Sequence, residues 1–126
     1  MILGVGIDLA GVDRIRREVA RQGDGFLDEF LTPGEIAHCR AKSRPFPSFA
    51  ARFAAKEALG KALGTGVAGT LSWRDIEVRV GERGAPRLAL SGSAAAGAEA
   101  RGVTRVHLSL THEGGYAAAV VVLEGA

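Results

Sequence analysis

Residues 53–66 read FAAKEALGKALGTG. At about 100° per residue, Ala55, Ala58, Leu59, Ala62 and Leu63 fall in one apolar stripe, which predicts a helix with one buried face. Glu57 and Lys61 lie one turn apart on the other side, with Gly60 and Gly64 beside them. A glycine inside a helix costs about 1 kcal/mol relative to alanine. Two of them next to a carboxylate and an amine predict that something approaches this backbone closely. A Glu–Lys pair at i, i+4 is also an ordinary surface ion pair, worth about 0.2–0.5 kcal/mol. With clear space around them, the same two groups suit a metal and a phosphate.

A second acid stands at the other end of the chain. Residues 1–9 read MILGVGIDL, an apolar run with β-branched Ile2, Val5 and Ile7, the pattern of a buried strand. Asp8 closes the run, just ahead of Ala10-Gly11 and a helical segment. A carboxylate is costly to bury unless it is paired or bound to metal. Its plain role is to cap the next helix, although Asp13 sits closer to that start. An acid at a strand end that meets an acid on a helix can hold a hard divalent cation. Mg²⁺ commonly takes one or two carboxylates, with water and substrate phosphate completing its shell.

Outward from these two segments the pattern is mixed. Val12, Ile15 and Val19 mark one face of a helix that ends near Gln22-Gly23, and Phe26, Leu27, Phe30 and Leu31 suggest a short apolar turn. Thr32-Pro33-Gly34-Glu35 is a helix start, with threonine cap, first-position proline and third-position glutamate. That helix is expected to run to Lys42. Pro45 and Pro47 interrupt, and the long helix is expected from Ser48 to residues 64–66. Ile76, Val78 and Val80 alternate as a strand, and residues 87–90 return after the turn at 81–84 as a hairpin. Residues 91–102 are alanine-rich and helical, and two strands at 106–110 and 116–123 follow. Hairpin-linked strands grouped with helices indicate an α+β domain, a mainly antiparallel sheet against a long helix, spanning 1–126 as a single domain.

Composition excludes several classes. The 126 residues are 47% hydrophobic, enough for a modest core, and the formal charge of +2 implies no general nucleic-acid affinity. Cys39 is the sole cysteine, so no disulfide framework or thiolate metal site can form within the chain, as suits a reducing cytosol. Residues 1–9 lack the basic start of a signal peptide, and the apolar run at 116–123 is far short of a membrane span. A cytoplasmic protein without a membrane partner is expected. Neither a Gly-x-Ser-x-Gly elbow nor a P-loop occurs.

Arg14, Arg17 and Arg21 form a basic stripe opposite Val12, Ile15 and Val19. A solvated helix face accounts for such a stripe, and Glu18 beside it can pair with Arg14 or Arg21. In HLSLTH, residues 107–112, alternation sends the two histidines to opposite faces, against a shared metal. His107 is read as a satisfied core or surface imidazole. Thr111, His112 and Glu113 lie at the strand end, where a hydroxyl and an imidazole can bond phosphate.

Taken together, these blocks resemble the holo-[acyl-carrier-protein] synthases, the small phosphopantetheinyl transferases. The matching residues are GVGIDLAGVDRI (4–15), RFAAKEALGKALGTG (52–66), WRDIEV (73–78), HLSLTHE (107–113) and YAAA (116–119), in the family's order over most of the chain. Residues 23–48 and 81–102 carry nothing distinctive. The resemblance implies a Mg²⁺-dependent transfer of 4′-phosphopantetheine from coenzyme A to a serine of apo acyl carrier protein in fatty acid biosynthesis, releasing 3′,5′-ADP. It implies that Asp8 and Glu57 hold Mg²⁺, and that Asp8, Glu57 and Lys61 carry catalysis. Lys61, Gly64, Thr111 and His112 are expected to bind the coenzyme. Arg14 foremost, then Arg17 and Arg21, are expected to dock the acidic carrier. Either Glu57 or a water on the ion serves as base, and Lys56 contacts nucleotide or solvent. Members of this length are homotrimers with sites between subunits, so the region of Thr111 and His112 is expected to serve a neighbour's Asp8, Glu57 and Lys61. The competing reading is a non-catalytic nucleotide-binding module that docks acidic proteins.

Overall fold

The computed structural model describes residues 1–67 and 69–126. In chain order the elements are strand β1 (Ile2–Gly11), helices α1 (Val12–Gln22), α2 (Gly25–Phe30), α3 (Pro33–Arg40) and α4 (Pro45–Leu63), and a 3₁₀ turn (Trp73–Asp75). Strands β2 (Ile76–Val80) and β3 (Pro86–Leu90), helix α5 (Gly92–Ala100), and strands β4 (Val103–Glu113) and β5 (Tyr116–Gly125) follow. This is an α+β architecture. All pairings are antiparallel, divided between a three-stranded sheet of order β1-β5-β4 and the β2-β3 hairpin.

The three-stranded sheet lies on α4. Gly4, Gly6, Asp8 and Ala10 of β1 oppose Leu123, Val121, Ala119 and Ala117 of β5, and this inner face meets the buried Ala54, Ala55, Ala58 and Ala62. Small residues on both surfaces let helix and sheet approach closely. A Cβ on Gly4 would collide with the carbonyl oxygen of Ala62, and one on Gly6 with that of Ala58. The bulk of the core lies to either side, in Phe49, Leu27, Leu31, Ile15, Leu59 and Leu123, each almost wholly buried. Burying such a side chain contributes about 1.5–3 kcal/mol.

Several expectations are revised. β1 is an edge strand and does not end at Asp8, which sits within it opposite Ala119. Nor is its apolar run buried: Val5, Ile7 and Leu9 face outward at 59%, 66% and 63% exposure, because the glycines and Asp8 occupy the face against α4. α4 starts at Pro45 rather than Ser48. Both prolines fall in its first turn, where a missing N–H has no intrahelical acceptor to lose. α3 ends at Arg40, two residues early, and β4 extends three residues beyond its expected span at each end.

The capping box forms as expected: Thr32 Oγ1 accepts the Glu35 N–H, and Glu35 Oε1 accepts the Thr32 N–H at 2.9 Å. Between β4 and β5 the turn residues Gly114 and Gly115 both have positive φ, 61° and 83°. Tight hairpins favour that geometry, and glycine adopts it without strain. No helix among the described residues is long and apolar enough to cross a membrane.

Candidate active site

The close approach of β1 to α4 sets the site. Asp8, on the inner face of β1, meets the exposed side of α4, and Lys61 Nζ donates to Asp8 Oδ1 and to the Ile7 carbonyl, both at 3.0 Å. Asp8 is 15% exposed and Lys61 53%, so the pair opens to solvent on the lysine side. Glu57, one turn before Lys61, is half-buried. Burial raises its carboxyl above the ordinary range and the nearby Asp8 charge adds to this, while Lys61 and Arg14 pull it down. Two acids 49 positions apart in the chain therefore share one electrostatic environment with one lysine. Their donors are hard carboxylate oxygens, the set that suits Mg²⁺. Among the described residues there is no group of three or more His, Cys, Asp and Glu able to hold a metal.

The glycines flanking this pair also meet demands of the chain's own backbone. Gly60 is buried, and a Cβ there would meet the chain's own Gly66 and Val67 at 2.8–3.0 Å. Gly64 ends α4 in the left-handed conformation, φ 79°. Its neighbour Leu63 gives its carbonyl to Arg101.

Lys56 is likewise not at the surface. Its ammonium is fully buried and donates to Glu35 Oε1 at 2.6 Å, the Phe30 carbonyl at 2.6 Å and the Trp73 carbonyl at 3.2 Å. Burial lowers its proton affinity and the Glu35 carboxylate opposes that. Contact with nucleotide or solvent is excluded.

Thr111 and His112 are not brought to Asp8. They lie on β4, separated from β1 by the whole of β5, about 10 Å away at strand spacing. They line a cavity of about 360 Å³ with His38, Lys42, Ser48 and Arg52. Arg52 is 4% exposed, and its Nε has no hydrogen-bond partner among the described residues. Burial lowers the proton affinity of His38, and the charges of Arg52 and Lys42 lower it further. Among the described residues no carboxylate lines this cavity, and its charged side chains are cationic. Sequence reasoning missed Arg52, although a signal exists: Arg52 and Lys56, at i and i+4, lie in line with Leu59 and Leu63 on the inward face. Buried charges there require partners.

The basic stripe on α1 is exposed at Arg14, Arg17 and Arg21. Glu18 pairs with Arg21 at 2.6 Å rather than with Arg14. Arg14 instead sets its guanidinium 5.4 Å from the centre of the Phe53 ring, near enough to Glu57 for its charge to act there. His107 bonds Glu124 at 2.8 Å on the outer face of the sheet, a surface imidazole as expected.

Comparison with known proteins finds relatives over nearly the whole chain. The family model of the 4′-phosphopantetheinyl transferase superfamily matches residues 4–121. The holo-[acyl-carrier-protein] synthase of Nitratidesulfovibrio vulgaris is 52% identical over 124 residues, covering 98% of this chain and 99% of that protein. The crystal structure of the Neisseria meningitidis holo-[acyl-carrier-protein] synthase superposes with a TM-score of 0.91 at 36% identity, over 98% of this chain and 99% of that one. The Helicobacter pylori enzyme of the same name, solved in complex with coenzyme A, gives 0.85 at 36% identity over 95% and 99%. With matches over nearly its whole length, the chain belongs to the 4′-phosphopantetheinyl transferase superfamily, among the holo-[acyl-carrier-protein] synthases.

Proposed function

We propose that this chain transfers the 4′-phosphopantetheine group of coenzyme A to a serine of an apo acyl carrier protein, leaving 3′,5′-ADP. The observation that carries the proposal is the meeting of Asp8, Glu57 and Lys61 across the β1–α4 contact, in a chain whose close relatives bear the name of this activity. A relative solved with coenzyme A supports the donor.

Asp8 and Glu57 are the residues to hold Mg²⁺. The raised proton affinity of Glu57, caused first by burial and then by the Asp8 charge, marks a poorly solvated carboxylate that a bound divalent ion would stabilise. When bound, the ion neutralises charge on the diphosphate and helps orient it. Lys61, exposed to solvent, exchanges its carbonyl contact for diphosphate oxygens as charge builds on them. The serine Oγ attacks the β-phosphorus, the bond from that phosphorus to the bridging oxygen breaks, and 3′,5′-ADP departs with that oxygen. Glu57 takes the serine proton. Arg14, bordering Glu57, meets an acidic side chain of the carrier, with Arg17 and Arg21 extending the field along α1. Gly64, exposed beside Lys61 at the end of α4, lines the path of the coenzyme.

The cationic cavity of Arg52, Lys42, Thr111 and His112 suits a phosphate of the coenzyme, yet none of the residues lining it belongs to the Asp8–Glu57–Lys61 cluster. We therefore propose a homotrimer in which each subunit lends this cavity to its neighbour's site. The exposed apolar row Val5, Ile7 and Leu9 supports assembly, since a sheet face of this kind is normally covered.

Mass spectrometry of an apo carrier protein incubated with the chain, coenzyme A and Mg²⁺ tests the function. The expected result is a gain of about 340 Da on the carrier serine. No gain, with coenzyme A still bound, would instead identify a binding module.

A further inference from the structure

Lys56 and its partners lie outside the transfer chemistry, yet they are joined to it by a continuous set of contacts. The Lys56 ammonium holds two main-chain carbonyls from different segments, Phe30 at the end of α2 and Trp73 in the 3₁₀ turn. The side chains of those two residues clasp Phe53. The Trp73 ring stacks on Phe53 at 5.4 Å and 23°, and the Phe30 ring meets it edge-on at 5.4 Å and 86°. Phe53 in turn carries the Arg14 guanidinium at 5.4 Å from its ring centre. Glu35 completes the anchor. One carboxylate oxygen takes Lys56 and the Thr32 N–H, and the other takes the Val78 N–H. Every hydrogen-bonding proton of the buried ammonium thus has an acceptor.

We infer that Lys56 is a positioning residue for carrier docking: from inside the core it fixes Phe30 and Trp73 around Phe53, and so aims Arg14 at the acidic partner. The inference rests on the carrier reading above. It divides two adjacent residues of α4 between tasks, Glu57 for chemistry and Lys56 for recognition. A guanidinium held on an aromatic face enters a complex already ordered, and that preorganisation lowers the entropic cost of binding.

The test is steady-state kinetics with apo carrier, coenzyme A and Mg²⁺, well below the melting midpoints of all variants. Lys56→Met should raise the KM for carrier by about three- to tenfold, the range of a lost cation–π orientation. The KM for coenzyme A should stay unchanged, and kcat should fall by a smaller factor. Partial unfolding would lower kcat and leave the carrier KM alone, so the split separates positioning from simple instability. The neutral pair Glu35→Gln with Lys56→Met gives the same readout without a stranded buried acid. Glu35→Gln alone strands the buried ammonium and should lower the melting midpoint, yet in the folded enzyme Lys56 keeps its carbonyl bonds and the carrier KM should stay near wild type. Combined with Arg14→Ala, Lys56→Met should add less than its own factor, because both act through one guanidinium. Emission from Trp73, the sole tryptophan, should shift in Lys56→Met. An unchanged carrier KM in an active Lys56→Met enzyme, or full additivity with Arg14→Ala, overturns the inference while the function stands. A wild-type chain that leaves the carrier unmodified overturns the functional reading, and this inference with it.

Discussion

Gly6 in β1 lies so near the carbonyl oxygen of Ala58 in α4 that any Cβ on it would overlap that oxygen. Two residues further along the strand, Asp8 reaches Lys61, one turn beyond Glu57 on the same helix. The geometry of the site therefore depends on a contact that only glycine allows. Gly6→Ala must push strand from helix, at a cost of about 1–3 kcal/mol for overpacking. The expected outcome is a lowered melting midpoint together with a loss of transfer activity larger than the unfolded fraction explains. Thermal melts beside mass-spectrometric assays of the carrier check it.

Charge at the site separates from stability. Glu57→Gln removes a half-buried acid whose ionisation burial and Asp8 both resist, so the fold should be unharmed or slightly firmer. Activity should fall by about 10²-fold or more, the size of effect seen when a stabilising group is deleted at a developing charge. Asp8→Asn should lose activity to a similar extent, and it also removes the ion pair with Lys61. Titrating Mg²⁺ against each variant by calorimetry should show weakened binding; a Glu57→Gln enzyme of near-normal rate would remove Glu57 from the proposed site.

Arg14→Glu reverses the charge that borders Glu57. Carrier association should weaken at low salt, and the deficit should shrink as ionic strength rises through about 0.15 M, where the Debye length is about 8 Å. Carrier KM measured across a salt series distinguishes this from loss of packing on Phe53, which salt would not restore.

Part of this arrangement is legible in the order of residues. The Thr32–Glu35 capping box and the apolar stripe of α4 follow from spacing, whereas the meeting of Asp8 with the Glu57–Lys61 face is what the family resemblance implies. What escapes is whatever depends on tertiary context. The run at 1–9 has the composition of a buried strand, yet Val5, Ile7 and Leu9 point outward because Gly4, Gly6, Asp8 and Ala10 take the face against α4. Lys56 follows Phe53 by three residues and precedes Glu57 by one, so its neighbours in sequence suggest a surface role. Its partners Phe30, Glu35 and Trp73 come from three other segments, which periodicity cannot supply. Arg52 is hidden for the same reason.

Acid sensitivity has a local source in Asp75. Its carboxylate accepts the Ser93 N–H at 2.8 Å and the Ser93 hydroxyl at 2.7 Å, tying the start of α5 to the 3₁₀ turn. These bonds hold the Asp75 carboxyl below its ordinary value, the hydroxyl contributing most. A group with a depressed folded pKa adds stability above its unfolded value, and that stability is lost as pH falls through the folded one. Asp75→Asn should therefore melt below wild type at neutral pH, with the gap closing as pH drops from about 4 downward. Calorimetric midpoints over that range provide the check, and a gap that persists in acid would mean that the amide fails for steric reasons.

A site divided between subunits, as proposed above, predicts the outcome of a complementation experiment. Asp8→Ala removes a member of the carboxylate pair but leaves the Arg52–His112 cavity intact, and Arg52→Ala with His112→Ala does the reverse. Each preparation alone should be nearly inactive. Mixed by reversible denaturation into trimers of random composition, about one site in four should combine an intact carboxylate pair with an intact neighbouring cavity. Activity should recover to about a quarter of wild type by the same statistics. A second arm introduces Ile7→Lys, which places charge on the outward apolar row of β1. That variant should sediment as a smaller species and lose activity even though its own Asp8, Glu57 and Lys61 are intact, because the cationic cavity now has no neighbour to serve. Mixed variants that stay inactive while sedimenting as trimers would place the whole site within one subunit, with Thr111 and His112 outside it.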